Sequence, residues 1–144
     1  MVPVVKESDL SEWHKVTLRV RYADTDRMGV VYHSNYFIYF EACRSDLIRN
    51  LWKPYSEIEK DGYLLLVIEA NCRYRKGAEY DDILNVYGRI TKFTETRIQF
   101  NYAVFRTCDE KPLVEGYTEH CFADSNGKPC RMPRDLNEVL KQNL

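Results

Sequence analysis

An acidic loop placed just before a helix is the part of this sequence best suited to chemistry. The loop contains Asp24 and Asp26, and a helix is predicted over residues 34–52. A helix start presents unpaired N–H groups and the positive end of the helix dipole. An acyl carbonyl held between the two would have its oxygen polarised by those N–H groups. Its carbon would be open to the carboxylate, or to water that the carboxylate activates.

The leaving group narrows the substrate class. The arrangement lacks a Ser–His or Cys–His nucleophile, so it suits an acyl group that is already activated. A thiol has a pKa of about 8.5 and leaves far more readily than an amine. The residues therefore favour a thioester as the substrate.

Two regular elements are predicted to position the loop. Residues 14–22 alternate between apolar and polar side chains, which predicts a half-buried strand that ends at Tyr22. The following helix is expected to be capped by Ser34 or Asn35. Its apolar residues recur at spacings of three and four, which places one side or more in a core. This stripe consists of Tyr36, Phe40, Cys43, Leu47 and Leu51.

The rest of the chain is predicted to form a sheet. The pattern predicts a helical turn over 55–60, an extended stretch over 63–80, strands over 83–93, 97–108 and 113–123, and a terminal helix over 133–141. The apolar run over 64–68 is typical of a strand covered on both faces, and a bulge is expected near 69–71. Consecutive strands joined by short loops are antiparallel. The predicted fold class is α+β, with a long central helix wrapped by a curved antiparallel sheet of about five strands.

Composition sets the broad class of the protein. The chain has 144 residues and 44% hydrophobic content, which predicts a single domain over 1–144 with a loosely ordered lead-in over 1–12. A net charge of -1 does not indicate the excess of basic residues that is typical of nucleic-acid-binding proteins. No apolar run is long enough to span a membrane, and the first ten residues lack a signal-peptide core. We therefore expect a cytoplasmic protein, in which the five cysteines stay reduced.

The run DTDRMGVVYHSNY over residues 24–36 resembles the hot-dog-fold acyl-CoA thioesterases. Within them it is most similar to the 4-hydroxybenzoyl-CoA thioesterase-like family, which includes the Tol-Pal-associated short-chain enzymes. Later segments over 67–74, 78–82 and 120–129 also fit, so the resemblance covers roughly residues 13–133.

The resemblance assigns roles to the motif residues. It implies that Asp26 is the catalytic carboxylate, as general base or as nucleophile, and that the backbone N–H of His33 polarises the acyl oxygen. The His33 imidazole is also implicated in the Tol-Pal-associated group. Val31, Tyr32 and Asn35 are expected to contact the acyl-CoA substrate. The family also implies a homodimer or homotetramer, with sheets joined edge to edge and active sites at the interface, and it implies no cofactor.

Several residues carry alternative interpretations. Asp24 is expected to be a structural turn residue. Glu41 on the helix and Glu69 in the extended stretch are kept as backup carboxylates. Arg97 is the first candidate for binding the CoA phosphates. Other candidate cations are Lys76, Lys92, Arg131 and Arg134. The 4-hydroxybenzoyl-CoA enzyme carries a basic cluster where this chain has residues 94–96, Thr-Glu-Thr, so a thioester of acyl carrier protein stays open as an alternative.

Other function classes fit these residues less well than hydrolysis. The spacing of Asp24, Asp26, His33 and Glu41 matches no metal site, and thioester hydrolysis requires no metal. A hot-dog dehydratase or hydratase needs a different pairing of His and acid. A non-catalytic acyl-binding or scaffold protein would use the same pocket and the same dimer. It would bind acyl-CoA without turnover.

Overall fold

The structure, a computed structural model that describes residues 5–144, is one antiparallel sheet with a long helix across it. This is the α+β arrangement expected from the sequence. The strands are β1 (His14–Arg19), β2 (Leu64–Tyr74), β3 (Ile83–Phe93), β4 (Arg97–Arg106) and β5 (Val114–Ala123). The helices are α1 (Asn35–Leu51), α2 (Tyr55–Lys60) and α3 (Arg134–Asn143).

The order of strands across the sheet is β1-β3-β4-β5-β2. The expected antiparallel pairs β3–β4 and β4–β5 are confirmed. β2 lies beside β5 at the far edge of the sheet and not beside β3, the next strand in the chain. Three strand spacings are about 14 Å, and the linking segment over 75–82 is long enough to cross them. This crossing segment runs past the end of the sheet where the acidic loop lies.

The apolar stripe of α1 forms the centre of the core. Tyr36, Phe40 and Cys43 are buried, as the spacing predicts, and the Phe40 ring stacks on Tyr102 of β4 with ring centroids 4.3 Å apart. The helix therefore packs against the inner face of the sheet and holds its own first turn at the sheet's end. Pro54 lies three residues beyond the end of the helix, in the break that the sequence predicts.

The first strand is shorter than predicted. β1 ends at Arg19, and a short 3-10 turn over Tyr22–Asp24 follows, which leaves the Tyr22 side chain 77% exposed. The turn is closed by Asp24, whose carboxylate accepts the backbone N–H of Arg21 at 3.0 Å. Such a local bond offers the backbone an alternative to the sheet ladder, and the alternation of residue types does not reveal it.

The edge strand β2 differs from expectation in its burial. Leu66, Val67 and Ile68 are 40%, 56% and 45% exposed, so the prediction that this apolar run is covered on both faces is wrong for the single chain. The register against β5 shifts between Val67 and Glu69, which confirms a bulge close to the expected position. Among the described residues, β2 thus has an apolar outer edge that pairs with no further strand.

The residues before β1 lie against the outer face of the sheet. We expected 1–12 to be loosely ordered; residues 1–4 lie outside the described part, and from residue 5 onward the segment is docked. Leu10 is buried at the end of a 3-10 turn over Glu7–Leu10 and packs with Tyr87, Ala103 and Phe105. Burial of a leucine is worth about 1.5–3 kcal/mol, which explains the ordering.

One buried polar chain crosses the otherwise apolar inner face. His120 Nε2 lies 2.8 Å from the Thr118 hydroxyl, which lies 2.7 Å from the Tyr102 hydroxyl. Arg44 of α1 donates to the Tyr102 hydroxyl at 3.1 Å. The Nδ1 atom of His120 is buried and has no partner among the described residues. The core therefore holds a histidine with one unsatisfied ring nitrogen.

Candidate functional site

The acidic loop is a tight turn built around Asp26. The backbone N–H of Asp26 donates to Val30 at 2.8 Å, and the N–H of Gly29 donates back to the Asp26 carbonyl at 3.0 Å. Gly29 has φ of +85°, a conformation that glycine adopts without strain. One carboxylate oxygen, Oδ1, accepts the Met28 N–H at 2.9 Å. The other, Oδ2, forms no hydrogen bond within residues 5–144 and is available to a water molecule or substrate.

The crossing segment fixes the loop from the other side. The N–H of Val31 donates to the Ala78 carbonyl at 2.8 Å, and Val30 forms a bridge with Glu79. Arg106 holds the segment in turn by donating to the Gly77 carbonyl at 2.8 Å. The Val31 side chain is buried in the core. Its place in the structure is therefore a packing position, and its backbone aligns the loop.

Asp24 is buried and serves as the internal support of the loop. Its carboxylate accepts hydrogen bonds from the Arg21 guanidinium at 2.9 Å and from the Tyr39 hydroxyl at 2.9 Å. Burial alone would raise the pKa of Asp24, but the hydrogen bonds from Arg21 and Tyr39 outweigh it and hold that pKa below its ordinary value. Asp24 is thus an ionised structural residue, in agreement with its interpretation as a turn-former.

The start of α1 carries unpaired backbone donors. The backbone N–H groups of His33 and Ser34 form no hydrogen bond within the described chain. Ser34 occupies the cap position but its side chain makes no capping bond, contrary to expectation. The Asn35 side chain instead donates to the Asp24 carbonyl at 2.8 Å and ties the helix to the loop. Two N–H donors at the start of α1 thus have no acceptor within residues 5–144.

A tyrosine that sequence reasoning did not select also reaches the helix start. Tyr74, the last residue of β2, donates its hydroxyl to the His33 carbonyl at 2.7 Å. The segment that ends in Tyr74 fits the resemblance, but eleven tyrosines in the chain make no single one informative.

Comparison with known proteins identifies the family. The model of the thioesterase-like superfamily matches residues 20–142. The chain belongs to this superfamily. An Aquifex aeolicus protein, provisionally named an esterase, is 35% identical over 85% of this chain and 94% of its own length. Bacillus subtilis YneP, provisionally named an acyl-CoA thioesterase, is 32% identical over 80% of this chain and 83% of its own length.

A solved structure shows the same fold. The DHNA-CoA thioesterase of Staphylococcus aureus is 31% identical and superposes with a TM-score of 0.87, covering 91% of this chain and 90% of its own. The thioesterase therefore has the hot-dog fold, as the resemblance implies.

Within the described residues of the thioesterase, Arg97 lies far from the acidic loop. It begins β4, whereas the loop lies at the end of the sheet where β4 finishes with Arg106. Along the strand this separation is roughly 30 Å. Arg97 pairs there with Glu119 at 3.4 Å. Among the other candidate cations, Lys76 lies in the crossing segment, at the loop's end of the sheet.

The backup carboxylates of the thioesterase lie apart from Asp26 along their elements. Glu41 is exposed on α1, about 9 Å along the axis from the helix start, and lines a pocket of about 220 Å³ with Arg44. Glu69 is exposed on the edge strand and accepts the Tyr117 hydroxyl. In the part of the chain that the structure describes, no group of three or more His, Cys, Asp or Glu residues is arranged to hold a metal ion.

Tyr32, a predicted substrate contact, and His33, a predicted catalytic residue, lie at the surface after the acidic loop. His33 is exposed, and its ring centroid lies 4.3 Å from that of Tyr32, whose side chain is 47% exposed. Both side chains are therefore accessible to a ligand at the helix start.

Removal of the Tyr39 hydroxyl is expected to destabilise the thioesterase. In Tyr39→Phe, a buried hydrogen bond to the ionised Asp24 is lost while the ring stays packed. Hydrogen bonds to charged groups contribute about 1.5–3 kcal/mol. We expect a loss of about 2 kcal/mol in the free energy of unfolding, measured by urea denaturation. Tyr22→Phe is the matched control, because that exposed hydroxyl forms no hydrogen bond within residues 5–144; an equal loss in both variants would contradict the assignment.

Proposed function

We propose that this thioesterase hydrolyses an acyl-CoA thioester to a free acid and CoA. One observation carries the proposal. Within residues 5–144, the half-buried carboxylate of Asp26 has one oxygen without a hydrogen bond, and the start of α1, a few residues along the chain, has two N–H groups without an acceptor. A carboxylate and an oxyanion site are the two groups that thioester hydrolysis needs. The acyl-CoA class is supported by the names of YneP and of the Staphylococcus aureus enzyme.

In the proposed reaction Asp26 acts as a general base on water. The water oxygen adds to the thioester carbon while its proton passes to the carboxylate, and the carbonyl oxygen becomes an oxyanion held by the His33 N–H. The intermediate collapses, the C–S bond breaks, and the CoA thiolate takes the proton back. In the alternative nucleophilic route, Asp26 attacks the carbon and expels the thiolate. Water then hydrolyses the resulting anhydride.

A homodimer is part of the proposal. The unpaired edge of β2 exposes Leu66, Val67 and Ile68. Proteins normally cover or blunt such an edge, because it offers unpaired backbone groups to any other strand. Pairing with β2 of a second copy would cover it, in keeping with the edge-to-edge joining that the resemblance implies.

A charge on this edge is expected to separate the subunits. Val67→Lys places a cation where the two β2 strands would meet, which discourages strand pairing. Sedimentation analysis should show the native protein above its 17.1 kDa chain mass and a dimer dissociation constant raised at least ~10-fold in the variant. Thr17→Lys, an exposed position on the opposite edge strand β1, is the control. An equal effect of the two changes would count against β2 as the interface.

The proposal places the reaction in the cytosol, where the five free cysteines would stay reduced. In residues 5–144, none of the helices has the length and apolar character needed to cross a membrane.

The function is tested by thiol release over a panel of acyl-CoAs. The panel runs from short to long aliphatic chains and includes benzoyl and phenylacetyl thioesters, and a coloured disulfide reagent reports free CoA. We expect saturable turnover of at least one member. If no CoA ester is cleaved, thioesters of acyl carrier protein are tested next. Saturable binding of acyl-CoA without turnover of either class would instead select a non-catalytic acyl-binding protein.

A further inference from the structure

Tyr74 is linked to the helix start by a hydrogen bond that no catalytic role yet explains. Its hydroxyl donates to the His33 carbonyl at 2.7 Å, although the two residues are 41 positions apart in sequence. Its ring lies edge-on to both Tyr36 and His33, with centroid distances of 5.7 Å and 6.3 Å. Burial, with a smaller contribution from Cys72, raises the pKa of Tyr74. The hydroxyl therefore stays protonated and remains a donor.

The peptide unit that Tyr74 contacts is part of the oxyanion site. The carbonyl of His33 and the N–H of Ser34 belong to the same peptide group. A hydrogen bond to an amide carbonyl polarises the amide, and such cooperativity strengthens its N–H as a donor by roughly 10–30%. The Ser34 N–H itself has no acceptor within the described residues. It is thus a polarised donor beside the unpaired N–H of His33.

We infer that Tyr74 is a positioning residue of the oxyanion site, which orients and polarises the peptide between His33 and Ser34 so that the Ser34 N–H becomes a second donor to the acyl oxygen. This inference rests on the proposed function, because it assigns the oxyanion that hydrolysis creates. Tyr74 ends the edge strand β2, so the inference also links that strand to the chemistry.

Removal of the hydroxyl would have different effects if Tyr74 were a positioning residue or a structural one. A structural hydroxyl lowers stability when it is removed and leaves the bound carbonyl unaffected. A positioning hydroxyl changes the polarisation of the bound carbonyl and lowers kcat more than it raises KM, since the oxyanion forms only in the transition state.

Tyr74→Phe tests this difference, because it removes the hydroxyl and keeps the ring contacts. Loss of a complete oxyanion donor costs about 100- to 1,000-fold in kcat. Weakening one donor of two by roughly 10–30% is expected to lower kcat about 2- to 8-fold, with KM and Tm close to native values. Tyr80→Phe is the matched control, since Tyr80 is exposed near the loop and its hydroxyl forms no hydrogen bond within the described residues.

A spectroscopic readout makes the test independent of turnover. The ligand is a ¹³C-labelled ketone analogue of an acyl-CoA, in which a methylene replaces the thioester sulfur, so that it binds without being cleaved. Its infrared carbonyl stretch should fall to lower frequency on binding the native protein and return part of the way in Tyr74→Phe. An unchanged stretch in Tyr74→Phe overturns the inference, whatever happens to kcat.

The two proposals fail in different ways. If the native protein cleaves no thioester but lowers the ketone stretch, and Tyr74→Phe reverses that shift, the hydrolase proposal fails and the role of Tyr74 stands. If the native protein cleaves thioesters and Tyr74→Phe leaves both kcat and the stretch unchanged, the hydrolase stands and the role of Tyr74 is overturned. The inference is also overturned if the carbonyl stretching frequency of the ketone does not fall when the ketone binds the native protein.

Discussion

Asp26→Asn is expected to lower kcat for thioester hydrolysis by about 100-fold or more. The amide has nearly the shape of the carboxylate and its oxygen can still accept the Met28 N–H, so the turn should keep its geometry. What the variant loses is basicity and nucleophilicity, which both routes require. KM should change little, because the charge matters most when the proton moves or the new bond forms. Steady-state thiol release on the preferred acyl-CoA measures both constants.

The matched control for this variant is Asp61→Asn. Asp61 is another aspartate in a loop, and its carboxylate pairs with Lys53 rather than with any group of the acidic loop. Native kcat is expected in this control, and unfolding midpoints of both variants should stay close to native. Retention of native rates by Asp26→Asn on every thioester cleaved would remove Asp26 from the mechanism. Glu41 and Glu69 would then be the candidates for the catalytic carboxylate.

Acid is expected to destabilise the fold through His120. Burial, aided by the nearby charge of Arg44, lowers the pKa of His120 from 6.5 to about 3. The folded protein therefore keeps this ring neutral, while the unfolded chain takes up a proton below pH 6.5. The unfolded state binds more protons in this window, so stability rises with pH and is lost as pH falls from 6.5 toward 3. One pKa unit corresponds to about 1.4 kcal/mol, which gives a loss of about 3 kcal/mol between about pH 7 and about pH 4.

The variant His120→Gln isolates this contribution. Glutamine keeps a polar group beside Thr118 but does not titrate, and the carboxylates that also respond to acid are the same in both proteins. Urea unfolding at a series of pH values should therefore show a shallower loss in the variant, although its stability at neutral pH is lower. Parallel curves for the two proteins would show that His120 does not titrate differently in the folded state.

The sequence predicts those parts of the fold that depend on local chemistry. The bounds of β3 and α2 agree with the prediction at both ends, because turn-forming residues flank them. Asp81, for example, adopts a positive φ of 72° in the turn before β3. The acidic loop and the helix start were likewise expected from residue types. Within residues 5–144 one Asp26 carboxylate oxygen and the His33 N–H have no partner, and the catalytic roles of both residues stay predictions.

Features that depend on distant partners were not predicted. Alternation identifies β2 as a strand but does not say that β5 is its neighbour, so the crossing segment and its bonds to the acidic loop were missed. The contact of Tyr74 with His33 is missed for the same reason. Arg97 is the cation close to the position of the basic cluster in the 4-hydroxybenzoyl-CoA enzyme, and the sequence does not show that it lies at the opposite end of its strand from the acidic loop. The apolar run of β2 likewise does not reveal that this strand lies at an edge of the sheet.

The bulge in β2 also fixes the permitted length of that strand. Before it, Leu65 and Val67 lie opposite Phe122 and His120, on the inner face; after it, the even-numbered residue Tyr74 lies on that face opposite Val114. Because side chains alternate along a strand, loss of one residue between the bulge and Tyr74, with the bulge retained, would turn Tyr74 outward, away from His33. Single-residue insertions and deletions between the bulge and Tyr74 should thus be removed by selection, even though the strand is exposed. Insertion or deletion of two residues would keep Tyr74 on the inner face.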